Sequence, residues 1–397
     1  MKKILIIGAG FLQDFVIKKA KEMGYYVLAV DGNPLAIGLS HADKAVVIDI
    51  VDEKACLKFA LNEQIDGVLT AATDYGVLTA SYIANQMGIP GLNYESAKLV
   101  KNKFLVRKRL YENHVDDTEQ SYEVTTEAEI DKIASLLNYP VMVKPCDGSG
   151  SRGASRVSII ENLKEACLYA MDSSISHRAE IESFIVGKEY GAEALVVDED
   201  IHVLAIMKKW MTQPPYYAEL GHAIPSGLPI EIEEKATECV KKAIQALEIN
   251  HGSVNMDFLV TDNGNIHIID VGARMGGNMI GPCIIPYGTG IDYMGNMIKA
   301  AVGDIPDWTA HDKSPVATKL LAFKGGLVER LPELDELSAA ERQAKIEIYH
   351  HLAVGDKVNE YHTNLDGCGY IISRAATIEL AETAAVNTLK KIEEYIF

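Results

Sequence analysis

Two aspartates, Asp257 and Asp270, sit in runs that are otherwise apolar: Asn255-Met256-Asp257-Phe258-Leu259 and Ile266-His267-Ile268-Ile269-Asp270. A carboxylate among such neighbours is costly to desolvate unless it meets a cation. Between the segments Gly252–Thr261 and Asn265–Val271 lies Asp262-Asn263-Gly264, and Asn-Gly favours the turn that joins adjacent antiparallel strands. One carboxylate therefore falls on each arm of a single hairpin. Two such groups can cradle divalent cations that bridge phosphates. Arg274, followed by Gly276-Gly277, can fork onto phosphate or carboxylate oxygens. In the plainer alternative one aspartate pairs with Arg274 and the other caps a turn. The metal reading uses all three charges at once.

A second cluster lies upstream. Lys144 ends the strand-like run Tyr139-Pro140-Val141-Met142-Val143, and Asp147-Gly148-Ser149-Gly150-Ser151-Arg152-Gly153 follows. A buried ammonium needs a partner, and glycines beside it let backbone N–H groups approach phosphate oxygens, with Ser149, Gly150 and Ser151 as the binding candidates. A salt-bridged lysine before a hairpin tip is the alternative, and on these residues alone both readings stand.

Taken in order, the motifs resemble the ATP-grasp superfamily. The resemblance covers roughly residues 96–304 and is nearest to the branch of biotin carboxylase, carbamoyl-phosphate synthetase and amino-acid ligases. It rests on Lys101-Asn102-Lys103-Phe104, Pro140-Val141-Met142-Val143-Lys144-Pro145, the Gly/Ser-rich loop, Glu182-Ser183-Phe184-Ile185-Val186-Gly187-Lys188-Glu189-Tyr190, and Ile269-Asp270-Val271-Gly272-Ala273-Arg274-Met275-Gly276-Gly277. The resemblance implies ATP and Mg2+, with Mn2+ as an alternative ion. It implies Lys103 and Lys144 on the phosphates, Glu182 on the adenine amino group and the backbone of Phe184 and Ile185 on the ring edge. Glu189 would bind the ribose, Asp257 and Asp270 the metals, and Arg274 the acyl phosphate or carboxylate. Many relatives have Glu at both metal positions, and an Asn two residues after the second, where this chain has Gly272. The second metal site is then weaker, or completed by water or Asn278.

The expected function is an ATP-dependent carboxylate–amine ligase acting through an acyl phosphate, with Lys144 and Arg274 as catalytic groups. Its partners are small-molecule carboxylates and amines, and a homodimer is allowed. Lys208, Lys209, Trp210, Tyr216, Tyr217 and His222 fall on a strand and long loop on the acceptor side, with Lys208, His222, Arg274 and Asn278 as substrate candidates; a backbone-bonded turn accounts equally for His222. The rival readings are a carboxylase, transformylase or carbamoyl-phosphate-synthetase-like enzyme, and a non-catalytic ATP-binding regulator.

These residues require an α/β and α+β chain. Strands at Lys3–Gly8, Tyr26–Asp31, Ala45–Ile50 and Gly67–Thr70, separated by helices, predict a doubly wound parallel N-terminal domain over residues 1–93. A two-subdomain ATP-grasp fold is expected over 94–310, with a mobile lid at about 118–184, then a small C-terminal α+β unit over 311–397. One helix is predicted from Ser96 to about Asn113, and a Pro-rich loop from Gln213 to Pro229. Gly8-Ala9-Gly10 and Asp31 hint at a dinucleotide site, but the third small residue that such a site needs is Gln13 here, which leaves an oxidoreductase only as a minor rival. With 56 acidic against 38 basic residues the net charge is -18, which disfavours nucleic acid. Six scattered cysteines read as reduced buried thiols rather than a zinc site. No run is long enough to span a bilayer, and the start is unlike an export signal, so a cytoplasmic protein is expected.

Overall fold

The computed structural model describes residues 1–116, 118, 120–148, 150, 152–214, 216–331 and 343–397. The N-terminal unit alternates β1 (Lys3–Ile7), α1 (Phe11–Glu22), β2 (Tyr26–Asp31), β3 (Lys44–Val47), α2 (Glu53–Glu63), β4 (Gly67–Thr70) and α3 (Val77–Met87). Its sheet is wholly parallel in the order β3-β2-β1-β4. Ile4 and Ile6 pack on one side and Leu5 and Ile7 on the other, which is why β1 reads as a continuous apolar run. The Gly8-Ala9-Gly10 turn is closed by the chain's own groups: Ala9 N–H donates to Asp31 Oδ2 at 2.8 Å, and the Gln13 amide donates to the Ala71 carbonyl.

The single helix expected from Ser96 is two, α4 (Tyr94–Val100) and α5 (Lys103–Glu112). The break has a local cause, since the Asn102 side chain accepts the Leu105 N–H and caps α5. A four-stranded sheet follows, β5-β8-β6-β7, built from β5 (Ser121–Val124), β6 (Val141–Pro145), β7 (Ser155–Val157) and β8 (Ala179–Ser183), with helices α6 (Glu127–Ala134) and α7 (Leu163–Ser173). Ile130, Leu163 and Cys167 from these helices bury against Val141, Val143 and Ile181 of the sheet.

The third and largest sheet has eight strands, and most of its residues come from β9 (Lys188–Val197), β10 (Asp200–Met211), β11 (Glu219–Ile224), β12 (Gly252–Val260) and β13 (Ile266–Gly272). The strand β11 lies inside the segment that the sequence suggested was loop. Its run Glu-Leu-Gly-His-Ala-Ile has no clean alternation, and pairing with β10 and β14 (Val316–Leu320) makes it a strand. From the C-terminal part, β15 (Gly326–Leu327) and β17 (Lys357–Val358) form a small ribbon, whereas β16 (Ala344–His350) and β18 (Gly369–Ala375) extend the large sheet to the order β13-β12-β9-β10-β11-β14-β18-β16. Helix α8 (Ile230–Ala246) covers Ala192, Ala194 and Phe258. On the opposite face Leu195, Met207 and Ile372 join the N-terminal unit, α9 (Ile285–Thr289) and α10 (Tyr293–Ala301) in one core. The closing helix α11 (Ile378–Ile396) packs on the C-terminal strands. All six cysteines are buried and unpaired. No helix among the described residues is long and apolar enough to cross a membrane.

Gly221 in β11 has φ +150, and a Cβ there would stand 2.0 Å from the Thr318 carbonyl oxygen. Gly221→Ala is therefore expected to destabilise the protein by about 2–3 kcal/mol. Urea unfolding checks this, and an unchanged midpoint would contradict the packing of β11 against β14.

Candidate active site

Asp257 and Asp270 are Cα partners across the β12–β13 hairpin, with a bulge immediately after Asp257. Neighbouring Met256, Phe258, Ile268 and Val271 are pulled into the core under α8, which presents the two carboxylates together. Each meets a lysine. Lys103, at the start of α5, pairs with Asp270. Lys209, on β10, lies 2.7 Å from Asp257, from Glu189 and from Glu219, and its side chain has 0% exposure. One buried ammonium is thus shared among three carboxylates.

The charges divide unequally. Burial pushes the Asp257 carboxyl up to about 7, with Lys209 opposing and Glu219 and Glu189 adding to the rise. Glu219 is held down to about 2 because Lys209 and then His222 outweigh the cost of burial. Asp270 stays below the ordinary aspartate range, since Lys103 outweighs its burial. The Lys209 ammonium is held well above its usual range: burial lowers it, and Asp257, Glu189 and Glu219 overcome that.

The second cluster joins the small sheet to the large one. Lys144 Nζ lies 2.6 Å from Glu182, 3.6 Å from Glu180 and 3.1 Å from the Ile269 carbonyl oxygen. Arg107, one turn after Lys103 on α5, donates to Glu182 at 3.0 Å, to Asp116 at 2.7 Å and to the Ile268 carbonyl oxygen. Both Glu182 oxygens therefore already face cations. Burial raises Glu182, but Lys144 and Arg107 bring it below its usual value; Glu180 is raised by burial against Lys144. The peptide N–H of Phe184 donates to the Pro140 carbonyl at 3.2 Å, and the Phe184 ring stacks under Arg156.

A cavity of about 590 Å³ brings together Lys103, Lys144, Gly150, Glu182, Phe184, Ile185, Glu189, Lys208, Lys209, Glu219, Asp257 and Asp270, with Met142, Leu259 and Ile268 as apolar walls. Its size and mixed lining suit a nucleotide-sized ligand. Ser149 and Ser151 lie outside the described residues. Lys208 reaches this cavity but pairs with Glu382 of α11 at 2.7 Å and lies over the Trp210 ring. Arg274, His222 and Asn278 do not line it. Arg274 is forked by Asp74 of the N-terminal unit, at 3.0 and 3.3 Å, and contacts Asn255 at 3.2 Å. His222 is buried beside Lys209 and is pushed down to about 4 by burial, with Glu219 opposing, so it is neutral at pH 7. Asn278 donates to Glu219. Gly272 also has a reason: a Cβ there would lie 3.0 Å from the Arg274 guanidinium carbon.

Among the described residues no three His, Cys, Asp or Glu side chains are arranged to hold a metal by themselves. The hairpin carboxylates are hard oxygen donors already facing ammonium groups, and they fit a divalent cation completed by phosphate oxygens. Sequence reasoning missed Arg107, Glu219, Asp74 and Glu193, and grouped Lys209 with the acceptor side. Arg107 had one signal, its spacing of four from Lys103 on one helical face.

Comparison with known proteins places residues 137–282 on the family model of the ATP-grasp domain. An uncharacterised protein of Sinorhizobium fredii, y4rH, is 26% identical over 334 residues, 83% of this chain and 68% of that protein. A D-alanine–D-alanine ligase of Acetivibrio thermocellus is 27% identical over 219 residues, 53% of this chain, and the chain spans 52% of that enzyme. Among solved structures, an L-amino acid ligase from Bacillus licheniformis superposes with a TM-score of 0.85 at 22% identity, over 99% of this chain and 98% of its own. A phosphoribosylglycinamide synthetase from Anaerococcus prevotii gives 0.77 at 24%, over 100% and 98%. At these identities the structural likeness carries the fold.

Lys209→Met leaves Asp257, Glu189 and Glu219 facing one another. Glu219 then loses the cation that holds its carboxyl down, and Asp257 the cation that opposes its rise, so both carboxyls move up. Stability is retained below about pH 4 and lost as pH rises through the raised values. The variant should lose about 3–5 kcal/mol at pH 8 and much less at pH 5. Urea unfolding at both values checks this; an equal loss at both would contradict the shared-ammonium arrangement.

Proposed function

We propose that this chain, which carries an ATP-grasp domain, is an ATP-dependent ligase that phosphorylates a small carboxylate and passes the acyl group to an amine. One observation carries the reading: two hairpin carboxylates and three lysines, Lys103, Lys144 and Lys209, converge on one nucleotide-sized cavity. Phosphoryl transfer asks mainly for positioning and charge neutralisation, and that is what this set supplies.

In this reading the segment from Glu182 to Ile185 takes the adenine edge and Glu189 the ribose. Lys103 and Lys144 take the phosphates, each exchanging a carboxylate partner for phosphate oxygens. A divalent cation held by Asp257 and Asp270 would neutralise the charge on the terminal phosphates. Lys209, already beside Asp257, adds a positive charge where the phosphoryl group is transferred, and Arg274 orients the carboxylate that receives it. Gly148, Gly150 and Arg152 line the cavity, and in this reading they would help keep water from the acyl phosphate. The D-alanine–D-alanine ligase and L-amino acid ligase among the similar proteins support an amino-acid carboxylate and an amino-acid amine as the first pair to try.

The test is a phosphate-release screen with MgATP, offering amino acids singly and in pairs, small carboxylates, formate and bicarbonate. Release that needs one carboxylate and one amine supports the ligase. Dependence on bicarbonate or formate alone would point to a carboxylase or transformylase, and nucleotide binding with no release under any condition would contradict catalysis. Asp270 is the more open of the two aspartates, so Asp270→Asn should fold. Its activity should fall about a thousandfold. Near-normal release by that variant would remove Asp270 from the reaction.

A further inference from the structure

Glu193 is wholly buried, yet it lies outside the nucleotide cavity and has no part in the chemistry above. It projects from β9 opposite Asn255 of β12. Three donors meet its two oxygens. The Tyr293 hydroxyl of α10 and the Gly276 N–H, at 2.9 Å, reach Oε1, and the Asn255 amide N–H reaches Oε2 at 2.9 Å. Burial pushes this carboxyl up to about 7 in spite of those bonds and of Arg274 nearby. Such a group is costly to keep when a neutral residue of the same shape could fill the space.

Its neighbours suggest what it does. Asn255 stands between Glu193 and Arg274, and its Oδ1 accepts from Arg274 Nη1 at 3.2 Å. In its ionised form the carboxylate only accepts and a guanidinium only donates, so an amide between them has a single satisfactory orientation. Its NH2 must face Glu193 and its oxygen must face Arg274. Glu193 thereby fixes the polarity of Asn255, and Asn255 presents an acceptor to the guanidinium. The same carboxylate holds Gly276, two residues beyond Arg274, where a Cβ would lie 2.9 Å from both the Asn255 amide nitrogen and Glu193 Oε2. Asp74 grips the other edge of the guanidinium.

We infer that Glu193 is a positioning residue that, acting through Asn255 and Gly276, aims Arg274 at the reacting carboxylate. The role given to Arg274 rests on the ligase reading, but the hydrogen-bond relay does not. Glu193→Gln keeps the shape and reverses one polarity. The oxygen of the introduced amide is claimed by Gly276 and Tyr293, so its NH2 faces Asn255, which must turn and present its own NH2 to Arg274. Two donors then face each other and the guanidinium moves off. Adding Asn255→Asp repairs this, because a carboxylate at that position accepts from the introduced amide on one side and from Arg274 on the other.

The experiment compares wild type, E193Q and E193Q/N255D by crystallography and by phosphate release. The release assay uses MgATP and an equimolar mixture of the twenty amino acids. E193Q should shift Arg274 away from residue 255 and slow release about a hundredfold, as expected for a misplacement near 1 Å. The double variant should restore both the position and most of the rate, and affinity for a nonhydrolysable MgATP analogue should be the same in all three. A purely structural Glu193 would give no rescue by N255D, and that result overturns the relay. Arg274 unmoved in the E193Q crystals overturns it equally. A wild type that releases no phosphate counts against the ligase reading alone, since the position of Arg274 still decides the relay.

Discussion

The site depends on one electrostatic constraint: buried carboxylates kept in place by buried ammonium and guanidinium groups. Lys209 holds Glu189, Glu219 and Asp257 together, and Lys144 with Arg107 holds Glu180, Glu182 and Asp116. In water each such pair would be worth little, but away from water an uncompensated member costs several kcal/mol. The pairs are therefore a poor source of net stability and a strong source of geometry. In the proposed function they also leave the lysines ready for exchange, because a triphosphate with its cation would replace carboxylate partners without leaving an ammonium bare.

The N- and C-terminal parts brace side chains around the cavity, whose described lining residues all lie between Lys103 and Asp270. The N-terminal unit contributes Asp74, which fixes one edge of Arg274, and its β1 face shares a core with the large sheet. The small sheet brings Lys144 and Glu182 to the hairpin, where Lys144 reaches the Ile269 carbonyl. From the C-terminal part, Asn364 accepts the Glu219 N–H at 3.1 Å and the Tyr361 hydroxyl bonds the Glu219 carbonyl. The turn that carries Asn364 is itself fixed by reciprocal Thr363 and Asp366 bonds. The parallel N-terminal unit is thus tied to the large sheet by the Asp74–Arg274 fork.

Local chemistry was legible in the sequence. The Asn-Gly turn and the apolar runs around Asp257 and Asp270 announced the hairpin and the cross-strand pair, and the lysine before the glycine-rich loop announced Lys144. The parallel strands β1, β2 and β4 could be read because both their faces are buried, so their apolar runs are unbroken. What could not be read depends on long-range pairing. Arg107 and Glu182 are far apart in sequence, as are Glu193 and Gly276, and no local pattern pairs them with each other. The strand β11 was missed because Gly221 and His222 interrupt its alternation, and only its neighbours define it. The helix break at Asn102 was readable in principle, since Asn followed by a charged amphipathic run is a capping signal.

The most direct measurement is a crystal structure with a nonhydrolysable ATP analogue and Mn2+, whose anomalous signal locates the ion. The account predicts Mn2+ between the terminal phosphates and the carboxylates of Asp257 and Asp270, with Lys103 turned from Asp270 onto phosphate oxygens. A nucleotide bound elsewhere, or phosphates seated in the cavity with those aspartates still closed on Lys103 and Lys209 and no ion beside them, would contradict it.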